Sequence, residues 1–158
     1  MNKQHKTYTV ETAKRRLEQY CVYQDRSHYE VTKKLREIGM IPEAIDVVVL
    51  HLMQHNFLNE ERFAKSYVRG KFTIKKYGRI KIKQGLKQKN ITENLIKIAF
   101  KEIDEILYKE TLYKLAEKKL ASLKEPNPFK KKQKLIRYLM QKGYESFLIY
   151  ETLSDLEL

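Results

Sequence analysis

The apolar side chains of this chain recur every three or four residues, the spacing that places them on one face of an α-helix. Three such pairs at i,i+4 spacing are Val31 and Leu35, Ile82 and Leu86, and Leu135 and Leu139. Four residues after each pair stands a residue type that readily takes the left-handed conformation just past a helix, namely Gly39, Asn90 and Gly143. The pattern therefore predicts three helix ends at intervals of 51 and 53 residues.

Further helix signals surround each of these ends. A leading helix of each repeat is predicted at about residues 10–24, 59–75 and 108–124. In the first repeat, Ser27 followed by Glu30 is a capping box that opens a second helix. Pro42 suits the first turn of a third helix, and Asn59 is a suitable N-cap for the next leading helix. We therefore expect three helices in each repeat.

The sequence thus predicts an all-α fold of three tandem three-helix repeats that form an elongated, curved helical array. The repeats are placed at about residues 10–56, 57–106 and 107–156 of a single domain that spans residues 1–158. A nine-helix globule without repeat symmetry is the alternative for the same helices. A tetratricopeptide scaffold is disfavoured, because its repeat of about 34 residues is shorter than the period found here.

The composition supports a helical protein and excludes several other classes. Only 5 Gly and 3 Pro occur in 158 residues, which leaves few turn residues for β-hairpins. The one cysteine, Cys21, has no disulfide partner, and no signal-peptide pattern is found, so we expect a cytoplasmic protein. The apolar runs fall far short of the roughly 20 residues that a membrane span requires.

The net charge of +13 is unevenly distributed along the chain. Residues 62–92 hold 11 basic and no acidic residues, and residues 126–144 hold 6 basic and no acidic residues, while residues 1–61 and 93–125 are balanced. Solvated helix faces normally alternate Glu with Lys, so these two acid-free windows indicate surfaces that bind a polyanion. A membrane surface is a less favoured partner, because the apolar residues are needed for the core.

Candidate contact residues come from these two windows. The first set, with one tyrosine at a predicted helix join, consists of Arg69, Lys71, Lys75, Lys76, Tyr77, Arg79, Lys81, Lys83, Lys87 and Lys89. The second and weaker set, for which a solvated helix start is a close alternative, consists of Lys130, Lys131, Lys132, Lys134 and Arg137. Lysine outnumbers arginine in both sets, which favours non-specific attraction to nucleic-acid phosphates over base reading. Phe63 and Tyr67 stand at helical spacing and are assigned to the core.

No arrangement of residues typical of an enzyme is found in the sequence. His51 and His55 have the spacing of two metal ligands on a helix, but no Glu lies between them, so the zinc-protease motif is incomplete. The five glycines form neither a dinucleotide-binding fingerprint nor a P-loop. We therefore expect a non-enzymatic protein with no catalytic residue, no metal site and no cofactor.

The central repeat carries three connected motifs: Phe57-Leu58-Asn59-Glu60-Glu61-Arg62-Phe63-Ala64, then Tyr67-Val68-Arg69, and then Gly78-Arg79-Ile80-Lys81 leading to Leu86-Lys87-Gln88-Lys89-Asn90-Ile91. Together with the repeat period, these motifs resemble the RecX family of recombinase regulators. The resemblance is strongest over residues 27–104 and extends over residues 10–156. Asn90 stands where the family usually has Gly, and Asn tolerates the same backbone conformation.

This resemblance implies an all-α modulator of RecA that lies along the helical groove of the RecA filament on single-stranded DNA. It further implies inhibition of the ATPase, strand-exchange and co-protease activities of RecA, in DNA repair, recombination and the SOS response. The expected partners are the RecA filament and single-stranded as well as double-stranded DNA, with the protein acting as a monomer. The alternative is a stand-alone, sequence-nonspecific nucleic-acid-binding helical protein that needs no recombinase.

Overall fold

The computed structural model describes residues 7–158, which contain nine α-helices and no β-strand. The helices are α1 (Val10–Tyr23), α2 (His28–Glu37), α3 (Pro42–Gln54), α4 (Glu60–Thr73), α5 (Arg79–Gln88), α6 (Glu93–Phe100), α7 (Glu105–Ser122), α8 (Pro128–Gln141) and α9 (Ser146–Asp155). Residues 1–6 of the predicted domain lie outside the described residues. Within the described range, no helix is both long enough and apolar enough to cross a membrane.

The helices pack in consecutive groups of three, which we call unit 1 (α1 to α3), unit 2 (α4 to α6) and unit 3 (α7 to α9). The three helices of each unit contact one another. This packing confirms the predicted all-α array of tandem three-helix repeats. The limits predicted for the repeats, at residues 10–56, 57–106 and 107–156, stay a prediction.

The three predicted helix ends are confirmed by the backbone. Gly39, Asn90 and Gly143 have φ angles of 87°, 60° and 97°, which lie in the region that glycine and asparagine tolerate best. At each end, the next N–H bonds to the carbonyl five residues earlier, as the N–H of Met40 does to Leu35 at 3.0 Å. These bonds satisfy carbonyl groups that the helix itself leaves without a partner.

The predicted helix starts in units 1 and 2 are also confirmed. The Ser27 hydroxyl accepts a hydrogen bond from the N–H of Glu30 at 3.1 Å, and the Asn59 side chain accepts one from the N–H of Arg62 at 2.9 Å. Pro42 occupies the first turn of α3, where its missing N–H leaves no helical hydrogen bond unmade. Each side-chain cap of this kind stabilises its helix by about 1 kcal/mol.

The leading helix of unit 3 differs from its predicted bounds of 108–124. Helix α7 begins at Glu105 and ends at Ser122. The earlier start has a local cause, because the Asp104 carboxylate accepts a hydrogen bond from the N–H of Leu107 at 2.8 Å and caps the helix there.

The described residues bury two separate apolar cores. Unit 1 encloses one core, which includes Leu17, Leu35, Val48 and Leu52. Units 2 and 3 share the other core, which includes Phe63, as predicted, and a row of rings formed by Phe72, Tyr108 and Tyr144. Tyr67 packs at the edge of this core, with its hydroxyl over Gly85, where any Cβ atom would overlap it. The glycine inside α5 therefore makes room for a tyrosine of α4.

Polar contacts join unit 1 to unit 2. The guanidinium of Arg62 donates to the Asp25 carboxylate at 2.7 Å, and the Glu60 carboxylate accepts from the N–H of His28 at 3.1 Å. Arg62 also donates to the carbonyl of Phe57 at 3.2 Å. Arg62 therefore serves as a link between two units and not as part of a free basic surface.

Candidate nucleic-acid interface

The turn between α4 and α5 carries the centre of the first predicted set. Lys76 adopts a φ of 59°, and the N–H of Tyr77 donates to the carbonyl of Lys71 at 3.0 Å. These features fold the turn back onto the end of α4, so that the Tyr77 ring packs against the edge of the shared core. The side chains of Lys75 and Lys76 are exposed to solvent.

This turn rests directly on the turn between α8 and α9. The N–H of Gly78 donates to the carbonyl of Lys142 at 2.8 Å, and the N–H of Ile80 donates to the carbonyl of Gly143 at 3.0 Å. A Cβ atom on Gly78 would overlap the backbone of Gly143, and one on Gly143 would lie 2.6 Å from the backbone nitrogen of Lys81. Glycine at both positions therefore allows two backbone turns to touch.

Two buried tyrosines hold the junction between units 2 and 3. The Tyr144 hydroxyl donates to the carbonyl of Lys76 at 2.9 Å. The Tyr108 hydroxyl donates to the Glu145 carboxylate and accepts from the N–H of Arg79 at 3.0 Å. Burial raises the pKa of both hydroxyls well above the usual value, and for Tyr108 the hydrogen bond to Glu145 adds to the rise. Both groups therefore stay protonated and act as donors.

The same junction brings the two acid-free windows together. The ammonium nitrogen of Lys81 lies 4.2 Å from the centroid of the Tyr77 ring, and that of Lys142 lies 5.6 Å from the same centroid. The Lys142 ammonium also donates to the carbonyl of Lys75 at 3.4 Å. Two cations from different windows thus share one aromatic ring. Lys142 belongs to the second window but to neither predicted set.

Five lysines and one tyrosine form the surface that we call the basic corner: Lys71, Lys75, Lys76, Tyr77, Lys81 and Lys142. Among residues 7–158, no carboxylate oxygen lies within 4.0 Å of any of these five ammonium groups. Lys71 and Lys75 also border a groove of about 270 Å³ between units 1 and 2. Cations that lack a carboxylate partner and lie together raise the local positive potential and attract polyanions.

The other basic residues of the first set are paired with carboxylates from outside residues 62–92. The pairs are Lys83–Glu93 (3.1 Å), Lys87–Glu93 (2.7 Å), Arg69–Glu102 (3.3 Å), Lys89–Glu30 (3.4 Å), and Arg79 with Glu105 (2.6 Å) and Glu145 (3.2 Å). The hydrogen bond from Lys87, followed by that from Lys83, lowers the pKa of Glu93. An acid-free window in the sequence therefore does not guarantee an acid-free surface.

Arg79 is the most enclosed of these paired residues. Its guanidinium carbon lies 4.0 Å from the centroid of the Tyr108 ring, and its side chain is 24% exposed. Burial alone would lower the pKa of Arg79, but the hydrogen bonds to Glu105 and Tyr108 raise it above the usual value. Arg79 is thus a fixed cation that joins unit 2 to unit 3.

Replacement of this arginine should therefore lower the stability of the fold. We expect Arg79→Ala to lower the free energy of unfolding by about 2 kcal/mol, since it removes charged hydrogen bonds and leaves Glu145 beside Tyr108 without its cation. Urea denaturation followed by circular dichroism measures this loss. Lys75→Ala is the matched control and should leave stability within about 0.5 kcal/mol of the parent protein. An equal effect of the two changes would contradict a linking role for Arg79.

The second predicted set is spread along α8. Lys134 contacts Glu125 at 2.8 Å, and Arg137 borders a shallow cavity with Met140. Lys130 precedes Lys142 by twelve positions, which is about 18 Å along a helix axis. The second set therefore extends away from the basic corner along one helix, and Lys142 is the basic residue of its window that reaches the corner.

One cluster of cationic and aromatic side chains in unit 1 is absent from both predicted sets. It borders a cavity of about 540 Å³, which is lined by Arg15, Arg16, Gln19, Tyr20, Tyr23, Arg26 and Lys34. The balanced charge of residues 1–61 conceals this cluster in a count by segment. The signal that could have revealed it is the i, i+4, i+7 spacing of Arg16, Tyr20 and Tyr23, which places them on one face of α1.

His51, His55 and Cys21 have local roles in the fold. The His51 ring nitrogen Nε2 lies 3.0 Å from the Glu18 carboxylate, and the ring centroids of His51 and His55 lie 4.5 Å apart with their planes tilted by 47°. Burial raises the pKa of the Cys21 thiol to about 11, which disfavours the reactive thiolate. In the part of the chain that the structure describes, no three His, Cys, Asp or Glu side chains cluster as metal ligands would.

Comparisons with known sequences support the same repeat structure. Residues 59–99 match the family profile described as RecX, second three-helix domain, and residues 108–153 match RecX, third three-helix domain. The regulatory protein RecX of Clostridium perfringens strain 13 is 34% identical over 122 residues, which cover 76% of this chain and 57% of that protein. The RecX of Pelodictyon phaeoclathratiforme is also 34% identical over 122 residues, with 76% and 74% covered. The chain therefore spans little more than half the length of the Clostridium relative.

Comparisons with solved structures agree. The crystal structure of a regulatory protein RecX superposes with a TM-score of 0.84 at 29% identity, covering 92% of this chain and 73% of that one. The crystal structure of RecX from Lactobacillus salivarius superposes with a TM-score of 0.83 at 26% identity, covering 94% and 96% of the two chains.

Proposed function

This chain belongs to the RecX family of regulatory proteins, and from that premise we propose that it binds RecA filaments on single-stranded DNA and inhibits RecA. In this proposal the protein is non-enzymatic and lowers the ATPase, strand-exchange and co-protease activities of the filament. It acts in the cytoplasm as a monomer without a cofactor, in DNA repair, recombination and the SOS response.

The observation that carries this proposal is the basic corner at the junction of units 2 and 3. Five ammonium groups lie there without a carboxylate partner among the described residues, although the rest of the first set is neutralised within the fold. Lysine is a compact point charge that attracts phosphates without reading bases, as a protein that follows a filament of any sequence requires. The basic corner is therefore our candidate for the contact with DNA phosphates and with acidic patches of the filament.

The other predicted residues receive different roles. Arg69, Lys83, Lys87 and Lys89 are held by carboxylates, so we infer that they border the contact surface and can exchange their partners for phosphates. Arg79 positions the corner from inside the junction. The second set on α8 is a further contact for a polyanion in this proposal, and it continues outward from Lys142.

The proposal predicts inhibition of RecA at low stoichiometry. Steady-state ATP hydrolysis by RecA on single-stranded DNA should fall as this protein is titrated in, with most of the inhibition reached well below one chain per RecA. Binding to the same DNA without RecA is followed in parallel at the same salt concentration. Bare-DNA affinity should decrease with salt, with a slope in log–log form of about 0.7 for each single-strand phosphate that is neutralised.

A regulator of the RecA filament and a stand-alone nucleic-acid-binding protein give different results in this titration. Inhibition that appears only once the bare DNA is saturated would support a stand-alone nucleic-acid-binding protein and overturn the filament proposal. Absence of inhibition at any ratio would also overturn it. A scrambled-sequence DNA of the same length serves as the control and should give the same curve, since the lysines of the basic corner do not distinguish bases.

A further inference from the structure

Unit 1 contains a cavity whose walls combine tyrosine rings with cations. The cavity of about 540 Å³ lies within the range of small-ligand pockets, is open to solvent, and is lined by residues of α1, of α2 and of the segment between them. Tyr20 and Tyr23 supply two flat rings, while Arg16, Arg26 and Lys34 stand at its border. None of these residues contributes to the basic corner.

Arg26 forms a fixed wall of this cavity. Its guanidinium lies 3.6 Å from the centroid of the Tyr20 ring, and its Nε donates to the Tyr20 carbonyl at 2.9 Å. Glu30 lies 3.7 Å away and offsets part of the charge of Arg26. Such stacking holds the Tyr20 ring and the guanidinium in one arrangement before any ligand arrives.

The solvent exposure of Tyr23 has no structural explanation. Tyr23 is 83% exposed, although it stands in the last turn of α1, two residues after the buried Cys21. The Tyr23 ring has one cation nearby, the Arg26 guanidinium at 5.9 Å from its centroid. An exposed ring at the border of a preformed cavity offers a face on which a flat ligand can stack.

Two cations of the cavity are free to meet an anion. Arg15 is engaged by Glu18 at 2.5 Å, but Arg16 and Lys34 have no carboxylate oxygen within 4.0 Å among the residues that the structure covers. Lys34 lies 5.9 Å from the Tyr20 ring centroid and Arg16 lies on the same face of α1 as both tyrosines. The cavity therefore presents rings and free positive charges side by side.

We propose that this cavity binds a nucleotide of a single-stranded nucleic acid. The base stacks on Tyr23, and the flanking phosphates meet Arg16 and Lys34. A double strand does not fit this site, because its bases are already stacked and paired and cannot reach the ring. The inference deepens the proposed function by adding a base-stacking site in unit 1, and it rests on single-stranded DNA being a partner but requires no RecA.

The test measures the affinity of the full chain for a fluorescein-labelled oligothymidylate by anisotropy. Tyr23→Ala should weaken binding about 10-fold, because a stacked base is lost. Tyr23→Phe keeps the ring and should bind as the parent protein does. Tyr150→Ala is the matched control, since Tyr150 is 56% exposed on α9 and lies far along the sequence from the cavity. Arg16→Ala and Lys34→Ala should each reduce the salt slope by about 0.7.

An abasic oligonucleotide of equal length distinguishes stacking from charge. The parent protein should lose affinity for it, whereas Tyr23→Ala should bind the abasic and the normal strand equally. The inference would be overturned if Tyr23→Ala bound the normal strand as tightly as the parent protein does. It would also be overturned if the substitution reduced affinity for the abasic strand and for the normal strand by the same factor. Polyglutamate is a competitor probe. If it displaced the oligonucleotide from the parent protein but not from Tyr23→Ala, the cavity would be assigned to an acidic peptide and the inference would be overturned. If Tyr23→Ala leaves oligonucleotide affinity unchanged while the parent protein inhibits RecA, this inference fails and the proposed function stands.

Discussion

Combined replacement of Lys71, Lys75 and Lys81 by glutamate is expected to abolish inhibition of RecA and binding to single-stranded DNA. At about 4 Å in water, each lysine–phosphate pair is worth ~1 kcal/mol, and reversal turns this attraction into a similar repulsion. Three reversals total ~6 kcal/mol, and even with half of this removed by salt the affinity falls at least about 100-fold. Helical content should not change, since these side chains make no ion pair with a described residue.

The control for this experiment has the same change in net charge at another surface. Three lysines of α7 are exposed: Lys109, Lys114 and Lys118. Reversing the charge of these three should reduce affinity for single-stranded DNA by far less than the reversal at the basic corner does. ATPase inhibition and oligonucleotide anisotropy measure both variants. Comparable losses in the two triple variants would mean that overall charge, and not the basic corner, governs binding, and the site assignment would be wrong.

Gly143→Ala is expected to lower the free energy of unfolding by about 3 kcal/mol. An alanine at φ 97° costs about 1 to 2 kcal/mol, and its Cβ atom would overlap Lys81, which adds a further 1 to 3 kcal/mol of steric cost. The overlap pushes the two turns apart and moves Lys142 away from Tyr77. Affinity for single-stranded DNA should therefore decrease together with stability.

Gly39 provides a matched comparison within the same chain. It has a φ of 87°, but no heavy atom lies within 4 Å of the position that a Cβ atom would take. Gly39→Ala therefore carries the conformational cost alone, about 1 kcal/mol, and should leave DNA affinity unchanged. Urea unfolding followed by circular dichroism gives both stabilities. Equal losses for the two variants would show that close contact between the turns contributes nothing to the fold.

The fold was predictable because its signals are local. An i,i+4 apolar pair followed by glycine or asparagine specifies a helix end by backbone sterics alone, as at Gly39 and Gly143. Ser27 and Asn59 likewise cap helices through side chains that reach only three residues ahead. The start of α7 was misplaced because Asp104 caps it, and the apolar pattern does not register a cap.

The site was predictable only in part, since its charges are decided by contacts between distant segments. Lys75 and Lys76 were expected at a surface and are exposed there. Lys87 and Arg69 were predicted as contact residues from an acid-free window, and the carboxylates that pair with them, Glu93 and Glu102, come from outside that window. Lys142 reaches the basic corner through backbone hydrogen bonds between two turns, which no charge count along the sequence can reveal.

The presence of two cores has a consequence for how the molecule opens. Unit 1 encloses its own apolar core, whereas units 2 and 3 share one, and the link through Arg62 and Asp25 is polar. Amide hydrogen exchange should therefore divide the chain into two cooperative blocks, with unit 1 opening without exposing the rings around Tyr108. Unit 1 can thus open while the rings behind the basic corner stay packed in the core that units 2 and 3 share.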